Sequence, residues 1–210
     1  IRKAKEMSNG LIGVNIMVAL SNFDDLVTTS IEEEVDFIFA GAGLPLNFPS
    51  FQTSNSKTKL VPIISSGRAA KVITKNWIRK YNYVPDAFVL EGPKAGGHLG
   101  FSLDQISDDN YRLEILLADV LETLKPYEET TKKEIPVIVA GGIYSGEDIH
   151  YYLHKGAAGV QMATRFVTTH ECDASTDFKK TYIDAKKDDI VFIKSPVGLP
   201  GRAIKNTFVE

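Results

Sequence analysis

Short apolar runs, rich in β-branched and aromatic residues, recur along the chain: residues 11–17, 35–40, 60–65, 87–91, 135–140 and 159–162. Their starts lie 24, 25, 27, 48 and 24 residues apart. Each run is nearly continuous in apolar residues rather than alternating, the pattern of strands covered on both faces in a parallel sheet. The segments between them carry helical periodicity. Residues 22–34 open on capping types and place Phe23, Leu26, Val27 and Ile31 at three- and four-residue steps. Residues 69–80 repeat the theme with Val72, Ile73 and Ile78. Residues 109–124 carry Leu113, Leu116, Leu117, Val120 and Leu124 on one stripe, with Pro126 expected to close the helix. Residues 145–155 form a shorter helix that Gly156 is expected to stop.

The chain is therefore an α/β protein of repeated βα units with right-handed crossovers. Periodicity alone does not separate a closed (β/α)8 barrel from an open doubly wound sheet. In either, the residues just past the strands' C-terminal ends build the binding site. The 48-residue step is the outlier, because a glycine-rich loop at residues 92–100 precedes its helix.

Composition narrows the function. With 43% hydrophobic and 24% charged residues, the 210-residue chain is an ordinary globular one, and a single domain suffices. Twenty-four Lys and Arg against 27 Asp and Glu give a net charge of −3 without a basic run, which removes the footprint of a nucleic-acid binder. The single cysteine, Cys172, gives no sign of an oxidising compartment, and its setting between Glu171 and Asp173 argues against a nucleophile. No apolar run reaches membrane-helix length and no signal peptide opens the chain, so a cytoplasmic location is expected. The first residues read as the end of a helix without an initiator methionine, so the chain is expected to begin inside a larger protein.

Three segments carry candidate chemistry. Glu91-Gly-Pro-Lys-Ala-Gly-Gly-His-Leu-Gly100 lets the backbone approach a flat ligand and offers one imidazole, His98; a flexible surface loop is the bland alternative. Gly141 and Gly142, ahead of a helix that starts near Ser145, present successive N–H groups to an anion. Gln161, Met162, Ala163, Thr164 and Arg165 follow the next strand and would complete a phosphate cradle, with Arg165 read either as a charge for the ligand or as a surface ion pair. Asn15, a polar amide in an apolar strand, serves a structural network or a ligand. Gly41-Ala-Gly43 and Ser65-Ser-Gly67 would leave room for a flat cofactor. His150, His154 and His170 lack zinc-ligand spacing, Trp77 and Tyr81 read as helix packing, and residues 195–202 read as a Pro/Gly-rich loop.

In order, GVNIM, FAGAG, EGPKAGGHLG, VAGGI, QMATRF and GRAIKN resemble the nitronate monooxygenase family, formerly the 2-nitropropane dioxygenases, and its relative, the flavin-dependent enoyl-acyl-carrier-protein reductase. The resemblance implies a (β/α)8 TIM barrel holding FMN at its C-terminal rim, with strands three to eight visible and the first two missing from this chain. Position by position, it makes His98 the catalytic histidine. It assigns FMN contacts to Asn15, Glu91, Gly96, Gly142, Gln161, Met162, Ala163 and Thr164, with Gly97 and Gly141 beside them, and it implies no metal. Glu91 and Ala163 depart from the family's frequent Gln and Gly, and Glu91 is closer to the reductase branch.

The activity implied is FMN-dependent oxidation of alkyl nitronates by O2 to a carbonyl compound and nitrite. In that reading His98 holds the nitro oxygens or removes the α-proton of a neutral nitroalkane. The alternatives are NADH-dependent reduction of an enoyl thioester and a non-catalytic FMN-binding barrel remnant. Partners are then a small-molecule substrate with O2 or NADH, no nucleic acid, no membrane, and a homodimer as an allowed assembly.

Overall fold

The computed structural model describes residues 1–194, 200–207 and 209. In chain order the elements are α1 (Arg2–Met7), β1 (Gly13–Met17), α2 (Phe23–Glu32), β2 (Phe37–Gly41), β3 (Lys59–Ile64), α3 (Gly67–Tyr81), β4 (Phe88–Glu91), β5 (Gly97–His98), α4 (Leu103–Ile106), α5 (Leu113–Thr131), β6 (Val137–Ala140), α6 (Gly146–His154), β7 (Gly159–Gln161), α7 (Thr164–Val167), α8 (Thr176–Asp184), β8 (Ile190–Lys194) and β9 (Pro200–Ile204). They fall into two compact units, residues 1–90 with 118–138 and residues 91–117 with 139–210.

In the first unit β1, β2, β3 and β4 pair in sequence order, all parallel, with Asn15 opposite Phe39 and Ile64 opposite Leu90. Parallel neighbours require crossover helices, and α2 and α3 supply them. Val27, Ile38, Leu60, Ile73, Trp77, Phe88 and Leu124 are fully buried and make its core. Trp77 anchors α3: its indole N–H donates to the Pro45 carbonyl at 2.9 Å and its ring meets Phe48 and Tyr83 edge-on. The Ser66 side chain caps α3 by accepting from the Ala69 amide, and Asn82, at φ 50°, ends it.

Burial on both faces holds for β3 and β4 but not for β1, where Gly13, Asn15 and Met17 are exposed and Ile16 is buried. Asn15 thus escapes the desolvation cost that made a polar residue there conspicuous. Gly67 has a packing role: a Cβ there would meet the Asp119 carboxylate at 2.5 Å, and the Gly67 amide donates to that carboxylate at 3.0 Å.

Pro126 does not close α5, which runs on to Thr131. Proline removes one intrahelical hydrogen bond, but the turn beyond it is tied down, because the Glu128 carboxylate accepts from the Ile135 amide at 2.7 Å and the Glu128 carbonyl from the Lys132 amide.

In the second unit β6 ends at Ala140, whose carbonyl accepts from the Gly92 amide at 2.9 Å, and β7 follows α6. Ser145 and Asp148 cap α6 reciprocally, and Gly156, at φ 99°, ends it as its sequence predicts. A three-stranded antiparallel sheet ordered β5-β9-β8 has no counterpart in the sequence reading. It absorbs Pro200, Gly201 and Arg202, placed by sequence in a loop; residues 195–199 of that loop lie outside the described residues. Among the described residues no helix is long and apolar enough to cross a membrane.

Candidate active site

The second unit contains a cavity of about 330 Å³ at the ends of β4, β6 and β7, near the low end of the range for small-molecule sites, about 300–1,000 Å³. Nine of the residues expected at a cofactor line it: Glu91, Gly96, Gly97, Gly141, Gly142, Gln161, Met162, Ala163 and Thr164. They come from three loops separated by up to 73 positions, and only the strand order brings them together.

The Gly141–Gly142 turn is built for glycine alone. Its φ angles are 100° and 78°. A Cβ on Gly141 would lie 2.8 Å from the Ala95 amide nitrogen, and one on Gly142 would lie 2.9 Å from the Lys94 side chain. The glycine-rich loop therefore lies directly against the turn. At Gly96 and Gly97, by contrast, a Cβ would meet nothing within 4 Å, so the chain there borders open space.

Helix α6 does not offer its N-terminus to a ligand in the way its sequence implies. The Asp148 carboxylate accepts from the amides of Tyr144 and Ser145 at 3.0 and 2.9 Å, and these contacts hold it below the usual carboxylate range. At α7 no side chain caps the start, which leaves the first amides without an intrahelical acceptor. Among the described residues Arg165 has no ion-pair partner, and it does not line the cavity: it donates to the Tyr144 carbonyl at 3.2 Å, and its guanidinium lies over the Tyr144 ring at 4.8 Å. It ties the loop after β7 to the loop after β6.

Glu91, half-buried at the end of β4, has its carboxyl pushed up by burial. Tyr182 of α8 and Val167 of α7 also line the cavity, and sequence reasoning missed both. The available signal was the Phe178–Tyr182 pair at helical spacing, whose rings lie 5.1 Å apart. Lys94 was visible in its motif but given no role.

Two expected residues are not among those that line the cavity. Asn15 belongs to the first unit, exposed on β1. His98 is exposed on β5, one residue beyond the cavity wall at Gly97, where it pairs with Gly201 of β9. A larger cavity of about 490 Å³ in the same unit shares only Lys94, Gly141 and Gly142 with the first and otherwise holds none of the expected residues.

The profile of the nitronate monooxygenase family matches residues 2–210. Over 210 residues the chain is 27% identical to the (3aS,4S,5R,7aS)-5-hydroxy-7a-methyl-1-oxo-octahydro-1H-indene-4-carboxyl-CoA dehydrogenase of Mycobacterium tuberculosis, covering 100% of this chain and 53% of that protein. It is 29% identical over 195 residues to a probable nitronate monooxygenase of Staphylococcus saprophyticus, covering 92% and 51% respectively. Among solved structures, FabK from Thermotoga maritima matches with a TM-score of 0.80 and 28% identity over 99% of this chain and 58% of that one. The chain spans about half the length of the curated relatives it matches. A glycine turn closed against a glycine-rich loop, three of the six motifs gathered on one cavity and a family profile running through both units agree: the chain belongs to the nitronate monooxygenase family, whose members are flavin-dependent oxidoreductases.

Proposed function

We propose that this chain is part of an FMN enzyme that oxidises alkyl nitronates with O2 to a carbonyl compound and nitrite. The observation that carries the reading is the convergence of nine residues expected at the cofactor, seven of them at family contact positions, on one cavity of the second unit. In this reading the six parallel-type strands β1, β2, β3, β4, β6 and β7 are the third to the eighth of a (β/α)8 barrel.

The residues present fit a flavin phosphate and ring. Gly141 and Gly142 line the cavity in a positive-φ turn, and their amides are offered to the anion there. Ala163 contributes its amide whatever its side chain, and Thr164 adds a hydroxyl at the uncapped start of α7. Gly96 and Gly97 give a flat ring system access to the backbone. Gln161 provides an amide for ring heteroatoms and Met162 a polarizable contact. When bound, FMN supplies the electron transfer between nitronate and O2.

A nitronate arrives already deprotonated and needs no base. For a neutral nitroalkane, His98 takes the α-proton, and its exposure gives that proton a direct route to water. A second reading, reduction of an enoyl thioester with NADH, is favoured by Glu91, which stands closer to the reductase branch of the family pattern. An anaerobic titration of the purified flavin-loaded protein separates the two. Loss of flavin absorbance with ethylnitronate and not with NADH is expected; loss with NADH alone moves the assignment to the reductase. A protein that retains no flavin is the non-catalytic remnant.

A further inference from the structure

The sequence offers Arg165 as a charge for the phosphate, but its guanidinium is occupied with Tyr144. Among the described residues that line the cavity, Lys94 is the one cation and Glu91 the one carboxylate. The two are not partners. Among the described residues no ion pair joins them, and burial alone raises the Glu91 carboxyl, with no opposing pull from a nearby cation. The Asp148 carboxyl of α6, by contrast, does feel the Lys94 charge. The Lys94 ammonium therefore stands on the α6 side of the cavity, away from Glu91 at the end of β4.

Local packing fixes the lysine stem. Its side-chain carbons lie 2.9 Å from where a Cβ on Gly142 would stand, so the stem runs across the glycine turn that lines the cavity. Lys94 is exposed and, among the described residues, has neither an ion pair nor a hydrogen bond through its head. Asp148 is a poor competitor for it, because that carboxylate already accepts from the amides of Tyr144 and Ser145 and from the Ser145 hydroxyl. A flexible four-carbon stem lets the ammonium swing onto an anion at the turn while it stays in contact with water. The cavity is thus polarised, with a cation over Gly142 and an acid at β4. A phosphate monoester, close to doubly negative at neutral pH, is drawn to the first and away from the second.

We propose that Lys94 is the phosphate anchor of this site: it holds the phosphate of a flavin mononucleotide at the Gly142 turn and so sets which way round the cofactor lies, with the ring system at Gly96 and Gly97. The anchor selects a phosphorylated flavin over the same ring and ribityl chain without phosphate. It rests on the FMN reading for the identity of the ligand and adds to it a formal positive charge, which the glycine amides and the Thr164 hydroxyl lack. It concerns the cofactor alone and leaves the substrate to His98.

Titration of FMN and of riboflavin into the flavin-free full chain, read by flavin fluorescence, tests it. The two ligands differ only in the phosphate. Wild type is expected to bind FMN more tightly than riboflavin, and the gap should narrow as salt rises. Lys94→Met keeps a stem over Gly142 and removes the charge. It is expected to weaken FMN binding about tenfold, the low end for a charge-assisted contact because the lysine is exposed, and to leave riboflavin binding within about twofold. Lys94→Arg, which restores the charge, should return most of the FMN affinity. Lys94→Met that melts with wild type and binds FMN equally overturns the anchor. So does one that loses FMN and riboflavin affinity in parallel, since that is the mark of lost packing. Lys94→Gln decides in the same way should Lys94→Met not fold. Wild type that binds riboflavin as tightly as FMN also overturns the anchor. A chain that binds neither flavin overturns the FMN reading and the anchor together. One that holds FMN through Lys94 yet keeps its flavin absorbance with ethylnitronate overturns the nitronate reaction and leaves the anchor standing.

Discussion

The Lys94 side chain occupies the volume that a Cβ on Gly142 would need, at 2.9 Å from its Cβ and Cδ positions. At Gly141 the obstacle is instead the backbone of Ala95, at 2.8 Å, which cannot swing aside. Both glycines also hold positive φ, a conformation that costs an alanine about 1–2 kcal/mol before any clash. Gly141→Ala is therefore expected to lower the melting temperature more than Gly142→Ala. Gly96→Ala, with nothing within 4 Å of the new methyl, should melt within about 0.5 kcal/mol of wild type and yet retain less flavin, because that open space borders the cavity. Thermal melts and flavin content of the three variants check the order; equal melting of Gly141→Ala and wild type would contradict the close approach of the two loops.

Glu91 gives the site a pH signature. Burial raises its carboxyl above the ordinary value of 4.5, so the folded protein holds the proton more tightly than the unfolded chain. Its effect on stability is then most favourable below that ordinary value and declines as pH rises through the raised one. Glu91→Gln removes the titration. The variant is expected to melt higher than wild type at pH 8 and to match it at pH 4, and melts across that range read the difference. A gap that widens towards acid would reverse the sign and refute the burial argument.

The strands were legible because burial on two faces forces continuous apolar runs: residues 60–65 and 87–91 become β3 and β4, where that burial is observed. The cavity was legible in its glycines and in the residues after β7, since a turn that admits no side chain must be written with Gly. The β5-β9-β8 sheet was not. Two-residue β5 has no period to detect, and its partner lies more than 100 residues away, so its register with Arg202 is a tertiary fact. The orientation of His98 is equally invisible in sequence, because it depends on which neighbour β9 pairs with. Asn15 was conspicuous only on the premise that β1 is covered on both faces, which its exposed Gly13, Asn15 and Met17 do not meet.

Pro126 shows a local rule overridden by packing. Proline in a helix interior costs about 3 kcal/mol relative to alanine, which is why it reads as a stop. Leu124 before it is 1% exposed and Glu128 after it is bound to the Ile135 amide, and these contacts hold both halves of α5 in line. Pro126→Ala restores the missing N–H and should raise stability by about 1–3 kcal/mol, the lower figure allowing for the freer unfolded chain. Chemical denaturation with an unchanged m-value measures the gain, and a lower midpoint would mean that the proline, rather than its neighbours, sets the helix axis.

His98 stands on β5 next to Gly97, which lines the cavity, so a variant there should separate proton removal from the rest of the reaction. A base matters only while a proton remains on the α-carbon, and general base catalysis contributes roughly 10²–10⁴-fold. His98→Ala is therefore expected to lower turnover of neutral nitroethane by at least about 10²-fold and to spare preformed ethylnitronate. Steady-state kinetics of wild type and His98→Ala on both substrates reads the ratio. An unchanged nitroethane-to-nitronate ratio in His98→Ala removes the imidazole from proton transfer, and its position on the face away from Gly97 is then the structural reason.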